Sequence, residues 1–191
     1  MKTILASGSP RRRELLEMLQ VKNLEIIPAQ GEEKAHPGLS PDALVMELSR
    51  CKAAEVAAQY ADGDDVVIGA DTIVVLDGQV LGKPHDAFDA KRMLSALSGR
   101  VHTVYTGVTV IRGETVLRHA ERTEVHFRAL TEAEIDAYIA TGEPMDKAGA
   151  YGAQGYASLF VEKLEGDFFN VMGLPLCALG NLLKRLDVNL I

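Results

Sequence analysis

Ser7-Gly8-Ser9-Pro10-Arg11-Arg12-Arg13 is the densest group of chemically useful residues in this 191-residue chain. Ser9 is a helix-capping residue type and Pro10 suits a first helical position, so the run reads as a tight turn into a helix. The first N–H groups of a helix are unpaired and attract anions. Gly8 permits close backbone approach, the serines add donors, and the arginines add planar forks matched to phosphate oxygens. This is the composition of an anion cradle, although it is neither the P-loop nor the dinucleotide glycine pattern. The plainer reading is a capped helix with a basic first turn. Cations there oppose the helix dipole, which favours the functional reading.

Asp71 is the second signal, because it interrupts the buried-strand pattern Val66-Val67-Ile68-Gly69-Ala70 and its continuation Thr72 to Leu76. A buried strand tolerates an ionised carboxylate only when it is paired or bound to metal. A solvent-facing or internally satisfied Asp is the equally weighted alternative. Glu32-Glu33, Lys52, and Lys83 in Gly82-Lys83-Pro84 are each ordinary surface charges when taken alone. Together, acids suited to a hard divalent cation and bases suited to phosphate oxygens suggest metal-assisted chemistry on a polyphosphate. The third signal is Asp146-Lys147-Ala148-Gly149-Ala150-Tyr151-Gly152-Ala153-Gln154-Gly155. Unaided, it reads as a flexible loop, yet Gln154 offers a donor and an acceptor side by side, the complement of a nucleobase edge.

The elements that must position these residues are legible from hydrophobic runs and caps. Thr3 to Ala6 reads as a strand before a helix to about Leu19; Leu24 to Ile27 is a second strand. Gly31 to Gly38 is a polar loop, and Ser40-Pro41 starts a long helix to about Tyr60. The strand through Asp71 ends at the turn signal Asp77-Gly78. Asp86 caps a helix from Ala87 to about Leu97, and Thr103 to Ile111 and Thr115 to Phe127 form a long hairpin around Arg112-Gly113. Thr131-Glu132-Ala133-Glu134 is a capping box for a helix ending near Gly142. Leu159 to Leu164 is a strand, and Pro175 to Leu186 a final helix. Strand-helix units mixed with hairpins give an α/β fold with a mixed sheet and flanking helices, in one domain over residues 1–191.

Composition narrows the function classes. With 47% hydrophobic and 25% charged residues the chain is neither disordered nor fibrous. No apolar run approaches the ~20 residues of a membrane helix and no signal-peptide core is visible, so no membrane partner and a cytoplasmic location are expected. Subtracting 27 acids from 20 Lys and Arg leaves −7, which argues against nucleic acid as a partner. Two cysteines make no disulfide framework, and Cys51 is expected to be a buried small hydrophobe.

Taken in order, the motifs resemble those of the Maf-type nucleoside triphosphate pyrophosphatases, the septum-formation-inhibitor proteins. The resemblance spans nearly the whole chain: Leu5 to Arg12, Glu33, Lys52-Ala53, Gly69-Ala70-Asp71-Thr72, Gly82-Lys83-Pro84, Leu97-Ser98-Gly99, Asp146 to Gly152, and Gly173-Leu174-Pro175-Leu176. It implies a fold like that of inosine triphosphate pyrophosphatases, with two lobes around a cleft, often as a homodimer. It also implies Mg²⁺- or Mn²⁺-dependent hydrolysis of nucleoside triphosphates to monophosphate and pyrophosphate. By resemblance Asp71 is the general base, and Glu33, Lys52 and Lys83 line the catalytic cleft. The 7-methyl-GTP branch of the family tends to carry Trp, Gln and Glu where this chain has Arg11, Thr72 and Gln154, which places it in the dTTP/UTP branch. A Gln amide can accept from N3–H and donate to O4 of uracil or thymine, in keeping with that placement.

The expected mechanism has a divalent cation held by Glu33 and Asp71, with Asp71 either deprotonating or orienting the attacking water. Arg12, Lys52 and Lys83 neutralise charge on the phosphate oxygens, and Ser7, Gly8, Ser9 and Arg11 cradle phosphate or sugar. The purpose would be clearance of dTTP, UTP or modified pyrimidine nucleotides. The rival is a non-enzymatic nucleotide-binding regulator of septum formation, and a third possibility is a nucleotidyl transferase. Bare carboxylates repel a triphosphate, so a pure binder gains little from Asp71 and Glu33.

Overall fold

The computed structural model describes residues 1–31 and 38–190. Its strands are β1 (Thr3–Leu5), β2 (Leu24–Ile26), β3 (Val66–Leu76), β4 (Gln79–Leu81), β5 (Val101–Arg112), β6 (Thr115–Phe127) and β7 (Val161–Glu165). Its helices are α1 (Pro10–Met18), α2 (Pro41–Tyr60), α3 (Ala87–Leu97), α4 (Glu132–Ala140), α5 (Phe168–Met172) and α6 (Leu176–Lys184). The strands follow the order β2-β1-β3-β5-β6-β7, with β4 paired to β3. β1 runs parallel to β2 and β3, whereas β4 and β7 run antiparallel to β3 and β6, so the sheet is mixed as expected. Among the described residues no helix is long and apolar enough to cross a membrane.

The chain divides into two compact units. The first comprises Met1–Asp71, Thr106–Glu121 and Gly173–Ile191; the second comprises Thr72–Tyr105 and Arg122–Met172. In the first, Ile4, Ala6, Ala53, Val56, Val67 and Ile111 form an apolar cluster. Its helix α2 lies directly on the sheet because two strand positions have no side chain. A Cβ on Gly69 would stand 2.3 Å from the Ser49 carbonyl oxygen, and one on Gly107 2.1 Å from that of Val45. The buried Ser49 and Thr109 hydroxyls add a 2.8 Å hydrogen bond to this contact.

The second unit is organised around aromatic rings. Phe127 meets Tyr151 edge-on at 4.8 Å, and Tyr138 meets Phe160 at 5.1 Å, inside a cluster built from α3, α4, β5, β6 and the 146–160 region. Local chemistry fixes its helix starts. Asp86 accepts from the Asp89 N–H, and Thr131 and Glu134 form the complete reciprocal capping box.

Several expectations need correction. The 146–155 stretch is not an unstructured loop: Glu143–Asp146, Ala148–Ala150 and Tyr156–Leu159 are 3-10 turns, and Ala150 and Tyr151 are buried. Aromatic burial against β5 and β6 outweighs the flexibility that its glycines suggest. Cys51 is exposed, because α2 turns Leu48, Ser49, Ala53 and Val56 inward and Cys51 falls on the opposite face. Ser9 and Ser40 occupy the N-cap positions without a side-chain capping bond. β4 and α5 were not foreseen, being too short to show periodicity.

Candidate active site

In the first unit, the close seating of α2 on Gly69 brings Lys52 onto Asp71. The Lys52 Nζ donates to Asp71 Oδ1 at 2.5 Å, with side chains only 22% and 11% exposed. The carboxylate that breaks the apolar run of β3 is therefore a paired, nearly buried charge. Such a pair is costly to desolvate, and taking away either partner would leave the other charge uncompensated and nearly out of water.

The turn before α1 separates the three arginines. Arg12 is buried, its Nε donating to the Gly173 carbonyl at 2.7 Å and its Nη1 to Ser7 Oγ at 3.0 Å. Ser7 Oγ also accepts from the Ser9 N–H at 3.3 Å, so the hydroxyl's own hydrogen is left to donate elsewhere. Arg11 is half-buried, while Arg13 is exposed and pairs with Glu17 one turn on. Composition alone treated these residues as one basic cluster. The fold gives Arg12 the role of tying the turn together, leaves Arg11 beside it, and makes Arg13 a surface charge.

In the second unit, Thr72 follows Asp71 along β3 and is half-buried, and Lys83 and Gln154 are exposed. Two motifs far apart in sequence meet there, since the Gly149 N–H donates to the Gly82 carbonyl at 3.0 Å, beside Lys83. Tyr151 is fixed from below by His102, whose Nε2 lies 2.7 Å from the phenol oxygen. His102 is 2% exposed and its Nδ1 has no partner among the described residues. Burial, with the nearby His126 adding to it, draws its pKa down to about 4, so the ring is neutral at ordinary pH. Burial likewise pushes the Tyr151 and Tyr138 phenols up.

The sequence reading missed His102, Tyr138 and Glu143. A histidine within the β-rich run of β5 was the available signal for the first; the other two carried none beyond nearness to the 146–155 motif. Glu33 lies outside the described residues. Among those residues, Glu124, His126 and Glu165 form a group whose ligand atoms all lie within 4.8 Å of one another. Arg122 and Lys163 already pair with its two acids, and Asp71 is not part of it.

Residues 2–186 match the family described as Maf-like protein. The chain belongs to that family. A dTTP/UTP pyrophosphatase of Bacillus mycoides (strain KBAB4) is 50% identical over 186 residues, covering 97% of this chain and 96% of the relative. One of Bacillus cereus (strain B4264), with the same name, is 49% identical over 188 residues, 98% and 97% of the two chains. A solved nucleoside-triphosphatase, a dITP/XTP pyrophosphatase from Mycobacterium abscessus, covers 74% of this chain and 95% of its own at 17% identity and a TM-score of 0.42, a likeness too distant to carry weight. Membership of the Maf-like family accords with the motifs from Leu5 to Leu176, and it extends over both units.

Proposed function

We propose that this chain hydrolyses dTTP and UTP to the monophosphate and pyrophosphate, and the nearly buried Lys52–Asp71 pair is the observation that carries the reading. The naming of relatives at about half identity over nearly their whole length as dTTP/UTP pyrophosphatases supports it. In this reading Asp71 accepts a proton from the attacking water or orients it, and Lys52 holds the carboxylate in place while keeping its charge compensated. Arg12 and Ser7 shape the turn that receives phosphate oxygens, with Arg11 beside them. Lys83 offsets charge on the departing pyrophosphate, and Thr72 and Gln154 read the base. A general base must lie within reach of the water it deprotonates, and the Lys52 ammonium holds the Asp71 carboxylate in one position.

A divalent ion belongs to this proposal. Asp71, with Lys52 engaged at one oxygen, is a hard donor of the type that Mg²⁺ and Mn²⁺ take, and Glu33 would be the second. When bound, the ion would supply Lewis-acid polarisation of the α-phosphate.

The test is pyrophosphate release from a panel of nucleoside triphosphates in ¹⁸O water. Label in the monophosphate is expected, whereas label only in orthophosphate would show stepwise γ-phosphate removal instead. EDTA should stop the reaction and Mg²⁺ or Mn²⁺ restore it; full activity after rigorous chelation would remove the metal from the proposal.

A further inference from the structure

Gln154 lies between two 3-10 turns, so regular secondary structure does not hold it, yet the chain on both sides of it is anchored to one carboxylate. Glu143 Oε1 accepts from the Tyr138 hydroxyl at 2.9 Å, and Glu143 Oε2 accepts from the Tyr156 N–H at 3.0 Å. The same Tyr138 hydroxyl accepts from the Gly152 N–H at 3.3 Å. The amides two positions before and two positions after Gln154 are thus bound to Glu143, the first through Tyr138 and the second directly. Tyr138 itself cannot drift, being 2% exposed and packed edge-on against Phe160.

Sterics reinforce the hydrogen bonds. A Cβ on Gly155 would stand 2.2 Å from Glu143 Oε2 and 2.4 Å from Oε1, so the carboxylate fills the space of a side chain at residue 155. Lys147 closes the other flank: its Nζ donates to the Glu143 carbonyl at 2.7 Å, and its stem stands 2.8 Å from where a Gly152 Cβ would be. Glu143 is therefore the hub of the loop that displays Gln154, and no charge partner draws it elsewhere among the described ion pairs.

We infer that Glu143 is a positioning residue for base selection, acting by clamping the Gly152–Tyr156 loop so that the Gln154 amide is presented in one place. The inference rests on the reading of Gln154 as the base-reading group. An amide discriminates between nucleobases only if its donor and acceptor meet the base edge in fixed register; a loop free to shift lets each base find some pairing, and selectivity falls while the bond-breaking step survives.

The experiment compares Glu143→Ala, Glu143→Gln, Tyr138→Phe and Gln154→Ala in the full chain. It reads hydrogen exchange at the Gly152 and Tyr156 amides together with kcat and KM for UTP and GTP. Glu143→Ala should speed exchange at both amides and lower the UTP-to-GTP ratio of kcat/KM roughly tenfold, through a higher KM for UTP, with kcat little changed. Glu143→Gln keeps an acceptor for the Tyr156 N–H and should recover part of both effects. An unchanged ratio in Glu143→Ala, in a protein whose ratio does fall in Gln154→Ala, overturns the inference alone. An unchanged ratio in Gln154→Ala removes the base-reading role, and this inference with it. If Glu143→Ala does not fold, Tyr138→Phe decides: it deletes only the hydroxyl, and a released Gly152 amide with an intact ratio would equally overturn the clamp.

Discussion

The Lys52–Asp71 pair and the Gln154 loop solve different physical problems. The first holds two opposite charges at 2.5 Å, nearly out of solvent, on a long helix and a long strand. The second displays a neutral amide in solvent from a short stretch between 3-10 turns, held by hydrogen bonds to a side chain rather than by a ladder. Charges in a low-dielectric setting interact strongly and are expensive when misplaced, so they need the stiffest support the chain can make, here α2 seated on two glycines. The base reading proposed for Gln154 needs geometry without net charge, which a clamped loop would supply. Turnover and selectivity should therefore separate under mutation.

Asp71→Asn gives the largest expected effect. It is nearly isosteric and should keep the fold, while kcat falls about 10²- to 10⁴-fold, the usual loss for a general base; the residual UTP-to-GTP ratio should not move. Near-normal turnover in the folded variant would sink the catalytic assignment, and a changed ratio would show that the two functions are not separable. Gln154→Glu comes next, with kcat/KM for UTP and dTTP reduced roughly 5- to 150-fold, as expected for one mismatched hydrogen bond once a bound base covers the side chain. Equal losses for all bases would remove its role as a reader.

A smaller effect concerns stability. His102 has a folded pKa of about 4 against an ordinary value of 6.5, so the unfolded chain binds the extra proton first as pH falls. Its contribution is complete above pH 6.5 and is lost progressively down to about pH 4, amounting to roughly 1.4 kcal/mol by pH 5.5. Urea titrations at pH 7.5 and 5.5 should show this loss in the wild type and a flatter slope in His102→Gln. The smallest effect is expected from Arg13→Ala. Its exposed pair with Glu17 should be worth little, and both melting temperature and turnover should stay at wild-type values.

Much of this organisation was legible in the sequence. Periodicity and caps located α2, β3, α3, the β5–β6 hairpin and α4 to within a few residues, because long apolar patterns and the Thr131–Glu134 box are local signals. Asp71 stood out for the same reason, as the charge in an otherwise apolar run. Its pairing with Lys52 was not derivable, since it depends on how closely α2 approaches Gly69. Arg11 and Arg12 carried different expected roles from the sequence, but the tie of Arg12 to the Gly173 carbonyl, far along the chain, was not visible there. Glu143 was invisible because its importance lies in backbone amides that sequence does not reveal. The glycines at 149, 152 and 155 suggested looseness, whereas Gly152 and Gly155 leave room for the stem of Lys147 and the carboxylate of Glu143.

The first unit is discontinuous, and Arg12 and Arg112 are secured by the carbonyls of Gly173 and Leu186. On the ribosome, Ser7 and Arg12 emerge well before Gly173, whose carbonyl must be present before their turn can be tied. The second unit's segments are complete before then, and domains tend to fold as they are made. Closing so long a separation also slows folding more than it weakens the finished protein. Newly made chains thus complete the loop that carries Gln154 first, and gain the turn around Arg12 only once Gly173 has been made.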